Sequence, residues 1–116
     1  MSLTKEQVLK ELKADHVVIL NVLPEGDYRK LHIKGSYNLP LGEDHGAFLE
    51  AVEEKFGRGK FFITYCAGSS CPLGPNAAKL LHENGFKAED YPGGIEEWHD
   101  NGLPVEGSME EVPIKA

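Results

Sequence analysis

The sequence predicts an α/β domain built on a mostly parallel sheet, and three observations lead to that prediction. Two apolar runs, VVILNV at 17–22 and FFITY at 61–65, have the length and composition of strands that are buried on both faces. Segments with helical spacing of apolar residues alternate with strand-like segments along the chain. The connections between them are short, which favours parallel strands joined by helices.

The first elements follow from local signals. Thr4 and Gln7 have the spacing of a capping box, so a helix is predicted to begin there. The first buried strand, 17–22, comes next. A turn follows it, and Asp27 is a candidate N-cap for a short helix that runs to Leu31.

The middle of the chain predicts a weak strand and a clear helix. SYNLPL, 36–41, has the composition of a short strand that Pro40 ends or places at a sheet edge. Apolar residues at helical spacing within 48–56 predict a helix, and Gly57 is placed to end it.

After the second buried strand, 61–65, a helix is predicted to begin near Pro75, because proline is favoured in a first turn. A weak strand at 88–91 and a short helix complete the pattern, with Ile95 and Trp98 of that helix facing inward. We predict one domain over 1–116, with a core at about 4–106 and a polar extension at 107–116.

Composition limits the classes of function. The formal charge of −7 argues against a nucleic-acid partner, because no basic stripe is present, and any anion site must be built locally. Two cysteines are too few for a secreted disulfide scaffold. The sequence shows neither a membrane span nor a signal-peptide pattern, so we expect no membrane association and a cytoplasmic location.

Cys66 is the candidate for chemistry, because it stands at the carboxyl end of a buried strand and directly before a small-residue loop and a helix. A thiolate is stabilised by converging backbone N–H groups and by a helix N-terminus. Small side chains at Ala67 and Gly68 suit such a cradle, and Ser69 and Ser70 offer further donors. The alternative is that Cys66 is an inert, buried residue at a strand end, as cysteines often are.

Three motifs in order resemble the rhodanese-like domain family, and the likeness covers nearly the whole chain. LNVLPEGDYRKLHIKGSYNLPL is similar to the N-terminal segment of the family. TYC, a loop of small residues and AAKLL resemble its active-site loop and following helix. YPGGIEEWHDNGLPVE is similar to its C-terminal G-G-x-x-x-W-x-x-x-G-x-P signature.

The resemblance implies a three-layer α/β/α fold with a five-stranded parallel sheet. It also implies that Cys66 takes a sulfane sulfur from a small donor, holds it as a persulfide and passes it to cyanide, a thiol or a protein acceptor. The backbone amides of the loop, Ala67 to Cys71, would hold the persulfide sulfur. The resemblance implies no metal and no organic cofactor.

The loop departs from the family pattern C-x4-R. The position of the arginine is Cys71 when counted forward from Cys66, and Leu73 when counted back from the helix. Neither side chain offers the bidentate anion clamp of an arginine, so thiosulfate is expected to bind poorly.

Other positions are given structural roles. Asn21 and Leu23 replace both charges of the family's D-x-R pair, which avoids a lone buried ion. His32 is expected to form a structural hydrogen bond, and Trp98 is expected in the core. The spacing of Cys66, Cys71 and the histidines does not fit a zinc site.

Three functions remain open. The leading one is a sulfurtransferase with Cys66 as the carrier. The second is a thiol–disulfide redox sensor in which Cys71 is the resolving thiol. The third is a rhodanese-like binding module without catalytic activity, which the missing arginine and the acidic charge favour.

Overall fold

The computed structural model describes residues 2–108 of the chain. These residues form five α-helices and six β-strands. In chain order they are α1 (Lys5–Glu11), β1 (Val17–Asn21), α2 (Glu25–Lys30), β2 (His32–Ile33), β3 (Tyr37–Asn38), α3 (His45–Phe56), β4 (Phe61–Tyr65), α4 (Leu73–Glu83), β5 (Lys87–Asp90), α5 (Gly94–Asp100) and β6 (Val105–Glu106). Most of the predicted C-terminal extension lies outside the described residues, so the predicted domain boundaries stay predictions.

Four strands form one parallel sheet in the order β3-β1-β4-β5, and the two apolar runs form its centre. Strands β2 and β6 pair separately and antiparallel. The α/β class is confirmed, but the parallel sheet within residues 2–108 has four strands, not the five that were predicted. Beyond β5, Ser2 makes a single parallel bridge to Asp90, and the pairing stops because Thr4 caps α1.

Both faces of the parallel sheet are buried, which produces the three predicted layers. Side chains of successive strand residues point to opposite faces. Val18 and Phe62 therefore pack in one cluster with α3 and α4. Ile19 and Ile63 pack in a second cluster with α1 and α5. Cys66 belongs to the first cluster, on the side of the sheet that α4 covers.

Local signals predicted some helix ends and missed others. The capping box between Thr4 and Gln7 is confirmed, and Gly57 ends α3 with a φ of 74°. The predicted cap at Asp27 is wrong, because α2 begins at Glu25 and Asp27 lies in its first turn. Helix α4 begins at Leu73, earlier than the predicted start near Pro75.

No helix among residues 2–108 has both the length and the apolar character needed to cross a lipid bilayer.

Candidate active site

Cys66 is placed by the end of the central strand β4, whose last residue, Tyr65, is fully buried. The Tyr65 hydroxyl accepts hydrogen bonds from the Asn21 side-chain amide at 3.0 Å and from the Ile33 N–H at 3.0 Å. It also lies 2.8 Å from the Ser36 hydroxyl. Burial raises the pKa of Tyr65 to about 12, so the hydroxyl stays neutral. These bonds tie the end of β4 to β1 and β2.

Asn21 belongs to this network. Together with Leu23, it stands where the family pattern D-x-R has two charged residues. Its side-chain oxygen accepts from the Leu23 N–H at 2.9 Å, while its amide donates to Tyr65. Asn21 is fully buried, and both ends of its side chain are hydrogen-bonded. The uncharged pair of Asn21 and Leu23 therefore leaves no buried ion without a partner.

The Cys66 sulfur lies at the N-terminus of α4 and is almost completely buried, with 3% of the residue exposed. The Gly74 N–H donates to Sγ at 3.3 Å, and the thiol donates to the Cys71 carbonyl oxygen at 3.4 Å. Helix α4 has no side-chain N-cap, and Pro75 in its first turn has no N–H. The N–H groups of Leu73 and Gly74, in the first turn, have no partner within the helix. Gly74 donates to Cys66, and both amides favour the ionised form of Cys71.

The proximity of the two thiols separates their acidities. Burial, together with the contact to Cys71, raises the pKa of Cys66 to about 12, against the opposing effect of the Gly74 and Ala67 amides. Burial also opposes the ionisation of Cys71. The Cys66 thiol and the amides of Ala67, Leu73 and Gly74 outweigh that effect and lower the Cys71 pKa below its ordinary value. Cys71 therefore ionises first, while Cys66 keeps its proton.

Most of the chain matches a known protein family. The family model described as "Rhodanese-like domain" matches residues 4–101. The chain belongs to the rhodanese-like domain family.

Solved structures share the fold of this rhodanese-like domain. The BH2092 protein from Bacillus halodurans superposes with a TM-score of 0.82 at 24% identity, covering 93% of this chain and 77% of that one. The rhodanese-like domain of the Alr3790 protein from Anabaena sp. superposes with a TM-score of 0.80 at 21% identity, covering 99% and 85%. Similarities at these identities concern the fold alone.

A curated relative is a larger protein. It is the HTH-type transcriptional regulator Rv0324 of Mycobacterium tuberculosis, which is 27% identical to this chain over 105 residues. The aligned region covers 90% of this chain and 44% of the regulator, so the chain spans less than half the length of that relative.

The first turn of helix α5 hydrogen-bonds to the backbone of the cysteine loop. The Ile95 N–H donates to the Cys66 carbonyl oxygen at 3.0 Å, and the Glu96 N–H donates to the Ala67 carbonyl oxygen at 2.9 Å. Gly94 has a φ of +64°, and a Cβ there would lie 2.6 Å from both carbonyl oxygens. The glycine pair of the signature thus allows the backbone of α5 to reach the loop.

The loop residues that were predicted to surround the sulfur, 67–71, differ in how they are placed relative to it. The Ala67 amide favours the ionised form of both cysteines, whereas the Cys71 N–H closes a turn by donating to the Gly68 carbonyl oxygen at 3.0 Å. Ser69 and Ser70 are exposed, and within residues 2–108 neither hydroxyl hydrogen-bonds to a sulfur. The amides that surround the thiols come from Ala67 and from the start of α4.

An acidic rim, defined as Glu96, Glu97 and Asp100 of α5, borders the loop. These residues line a shallow groove of about 340 Å³ beside Ser69, and the Glu96 carboxylate lies directly over Gly68. No basic side chain of the described chain lines this groove. The rim therefore places negative charge beside Gly68 and Ser69 of the cysteine loop.

Three residues that bear on the site were missed by sequence reasoning: Gly74, Thr64 and Asp90. The Thr64 hydroxyl lies 2.8 Å from the Gly74 carbonyl oxygen and 3.1 Å from Asp90 Oδ1. If the start of α4 had been predicted at Leu73, Gly74 would have been identified as a residue of the first helical turn. The polar sequence KAED of β5 offers no signal that Asp90 is buried.

His32 and Trp98 make structural contacts. His32 Nδ1 lies 2.7 Å from the Tyr28 carbonyl oxygen, and its ring stacks on the Tyr28 ring at 3.8 Å. Trp98 is fully buried and donates to the Pro104 carbonyl oxygen at 2.7 Å. Across residues 2–108, no three histidine, cysteine, aspartate or glutamate side chains are grouped as metal ligands.

Proposed function

We propose that this domain is a sulfurtransferase in which Cys66 carries a sulfane sulfur as a persulfide. The observation that supports this most directly is the hydrogen bond from the Gly74 N–H to the Cys66 sulfur at the N-terminus of α4. The amides of Ala67 and Gly74 and the positive end of the helix stabilise negative charge at this point. Membership of the rhodanese-like family supports the same type of activity.

In the loading step, the Cys66 thiol passes its proton to the neighbouring Cys71 thiolate. The Cys66 thiolate then attacks the outer sulfur of a donor persulfide, R–S–S⁻. The S–S bond of the donor breaks, R–S⁻ leaves, and Cys66 holds S–S⁻. The transferred atom is already a sulfane sulfur in the donor, and its oxidation level does not change. No external oxidant or reductant therefore takes part.

In the unloading step, an acceptor thiolate or cyanide attacks the outer sulfur of the Cys66 persulfide. The bond to the Cys66 sulfur breaks, and the Cys66 thiolate takes its proton back from Cys71. Both steps use only this chain, the donor and the acceptor, and they need neither a metal nor an organic cofactor.

The acidic rim bears on the choice of donor. Thiosulfate carries two negative charges, and it would meet the Glu96 carboxylate and a domain of net charge −7. No arginine offers a bidentate clamp in its place, because the two candidate positions hold Cys71 and Leu73. We therefore propose a donor with a single negative charge or none, such as the persulfide of a small thiol.

The proposal is tested by mass spectrometry of the fully reduced protein after treatment with a small-molecule persulfide and, separately, with thiosulfate. We expect one added sulfur, located on Cys66 by peptide mapping and absent from Cys66→Ser. The matched variant Cys71→Ser should retain the added sulfur. If the wild type gains no sulfur from either donor, the sulfurtransferase proposal fails and a binding module becomes the better account.

A second candidate is a thiol–disulfide sensor, and the contact between the two thiols favours it. The Cys71 thiolate would attack the inner sulfur of the Cys66 persulfide, form the Cys66–Cys71 disulfide and release hydrosulfide. Reduction by a cellular thiol would restore the pair. Since a curated relative is named as a transcriptional regulator, such chemistry would suit a sensing module in a larger protein.

Cys71→Ser separates the two candidates. A sensor requires that the wild type releases hydrosulfide and forms the disulfide after loading, while Cys71→Ser accumulates the persulfide. Sulfur transfer to an external thiol at the wild-type rate in Cys71→Ser would argue against the resolving role of Cys71.

A further inference from the structure

A buried polar network connects the Cys66 sulfur to a carboxyl group behind the first turn of α4. The Gly74 N–H donates to Cys66 Sγ at 3.3 Å, and the Gly74 carbonyl oxygen lies 2.8 Å from the Thr64 hydroxyl. That hydroxyl lies 3.1 Å from Oδ1 of Asp90, a residue that is 5% exposed. A Cβ on Gly74 would collide with the Asp90 carboxyl, so the glycine permits this close packing.

The hydrogen bonds in this network depend on whether Asp90 is ionised. Thr64 has one hydroxyl proton and two neighbouring acceptors, the Gly74 carbonyl oxygen and Asp90 Oδ1. When Asp90 is protonated, it donates to Thr64, and Thr64 donates to Gly74. When Asp90 is ionised, its carboxylate competes for the Thr64 proton as the stronger acceptor, and Gly74 loses that bond.

We propose that Asp90 is a positioning residue for the Cys66 site: its neutral form holds the Gly74 peptide through Thr64, with the N–H directed at the sulfur, and its ionisation loosens that contact. The inference rests on the proposed function in giving Cys66 the reactive role. Burial raises the pKa of Asp90 to about 6, despite the opposing effect of the hydrogen bond with Thr64, which agrees with a neutral carboxyl in this position.

Other charged and titratable groups surround Asp90. Lys79 and His82 of α4 and Glu89 of β5 line, together with Asp90, a groove of about 540 Å³. The two cysteines lie at the opposite end of the network. Because imidazoles in general titrate between about pH 5 and pH 8, His82 is the neighbour that requires its own control.

NMR tests the structural part directly, without any sulfur transfer. The Asp90 carboxyl carbon and the Gly74 amide are followed from about pH 4.5 to about pH 8. In the wild type and in His82→Gln, both signals should move together with a midpoint near pH 6. In Asp90→Asn, the Gly74 amide should not move. A Gly74 titration that persists in Asp90→Asn, or that disappears in His82→Gln, would overturn the proposal.

Thiol labelling tests the effect on the sulfur. In a Cys71→Ser background, Cys66 is the sole cysteine, and its rate of reaction with iodoacetamide reports its thiolate. Adding Asp90→Asn should leave the rate unchanged near pH 5 and raise it by about fivefold above pH 7, the effect of retaining one hydrogen bond. Adding Thr64→Ser, which keeps the hydroxyl, should give the rates of the background protein. A rate ratio that stays constant across this pH range would refute the positioning role.

Discussion

The stability of Asp90→Asn should depend on pH, and the structure determines the sign and the size of the effect. The folded protein raises the pKa of Asp90 from 3.8 to about 6, mainly through burial. The folded state therefore holds the proton more tightly than the unfolded state, and ionisation destabilises the fold. Stability is lost as the pH rises from about 4 through about 6, and the loss is complete above that range. A pKa difference of about two units between the folded and unfolded states corresponds to a loss of about 3 kcal/mol in the free energy of unfolding.

Asparagine removes this loss, because it carries no charge and its amide can still donate to the Thr64 hydroxyl. We expect Asp90→Asn and the wild type to have similar free energies of unfolding near pH 4. At pH 8, we expect the variant to be more stable by up to about 3 kcal/mol.

Urea unfolding at several pH values between about 4 and 8 measures this difference. Glu83→Gln is the matched control, since Glu83 is an exposed carboxylate on α4, and its effect should be small at every pH. A variant that is less stable than the wild type at pH 8, or a stability difference that does not change with pH, would refute the account of Asp90 as a buried, proton-binding group.

Three further substitutions have definite expected outcomes. Tyr65→Phe removes the partner of the buried Asn21 amide and of the Ile33 N–H, and urea unfolding should show a loss of about 2–4 kcal/mol. Gly94→Ala should lower the free energy of unfolding by more than about 2 kcal/mol, because the φ of Gly94 is +64° and the new Cβ would collide with the loop carbonyls. A decrease below about 1 kcal/mol would contradict the described geometry. Glu96→Gln should raise kcat/KM for thiosulfate about two- to fivefold at low salt and less at high salt, with little change for an uncharged donor.

The parts of the fold that depend on local pattern could be predicted from the sequence. The run FFITY predicts the strand Phe61–Tyr65 because a continuous apolar segment is stable only when both faces are buried. Its end fixes the place of Cys66 at the carboxyl edge of the sheet. The capping box at Thr4 is equally local, since its two hydrogen bonds join residues three apart.

The parts that depend on contacts between distant segments could not be predicted. Gly74 escaped notice because a proline rule alone placed the helix start near Pro75, whereas packing extends α4 to Leu73. The burial of Asp90 depends on the approach of α4 to β4 and β5, which no feature of KAED indicates. The order of ionisation of the two thiols depends on their mutual contact and on amides that tertiary structure brings together.

The capping of α5 by the loop carbonyls couples the order of the helix to the order of the loop. Helix α5 has no side-chain N-cap, and its first amides bond to Cys66 and Ala67 instead. Local unfolding of the start of α5 would therefore release the loop, and displacement of the loop would leave those amides open to water. The amide protons of Ile95 and Glu96 should accordingly exchange with solvent in one cooperative event. Reagents too large for the closed site would reach the Cys66 sulfur only during that same opening.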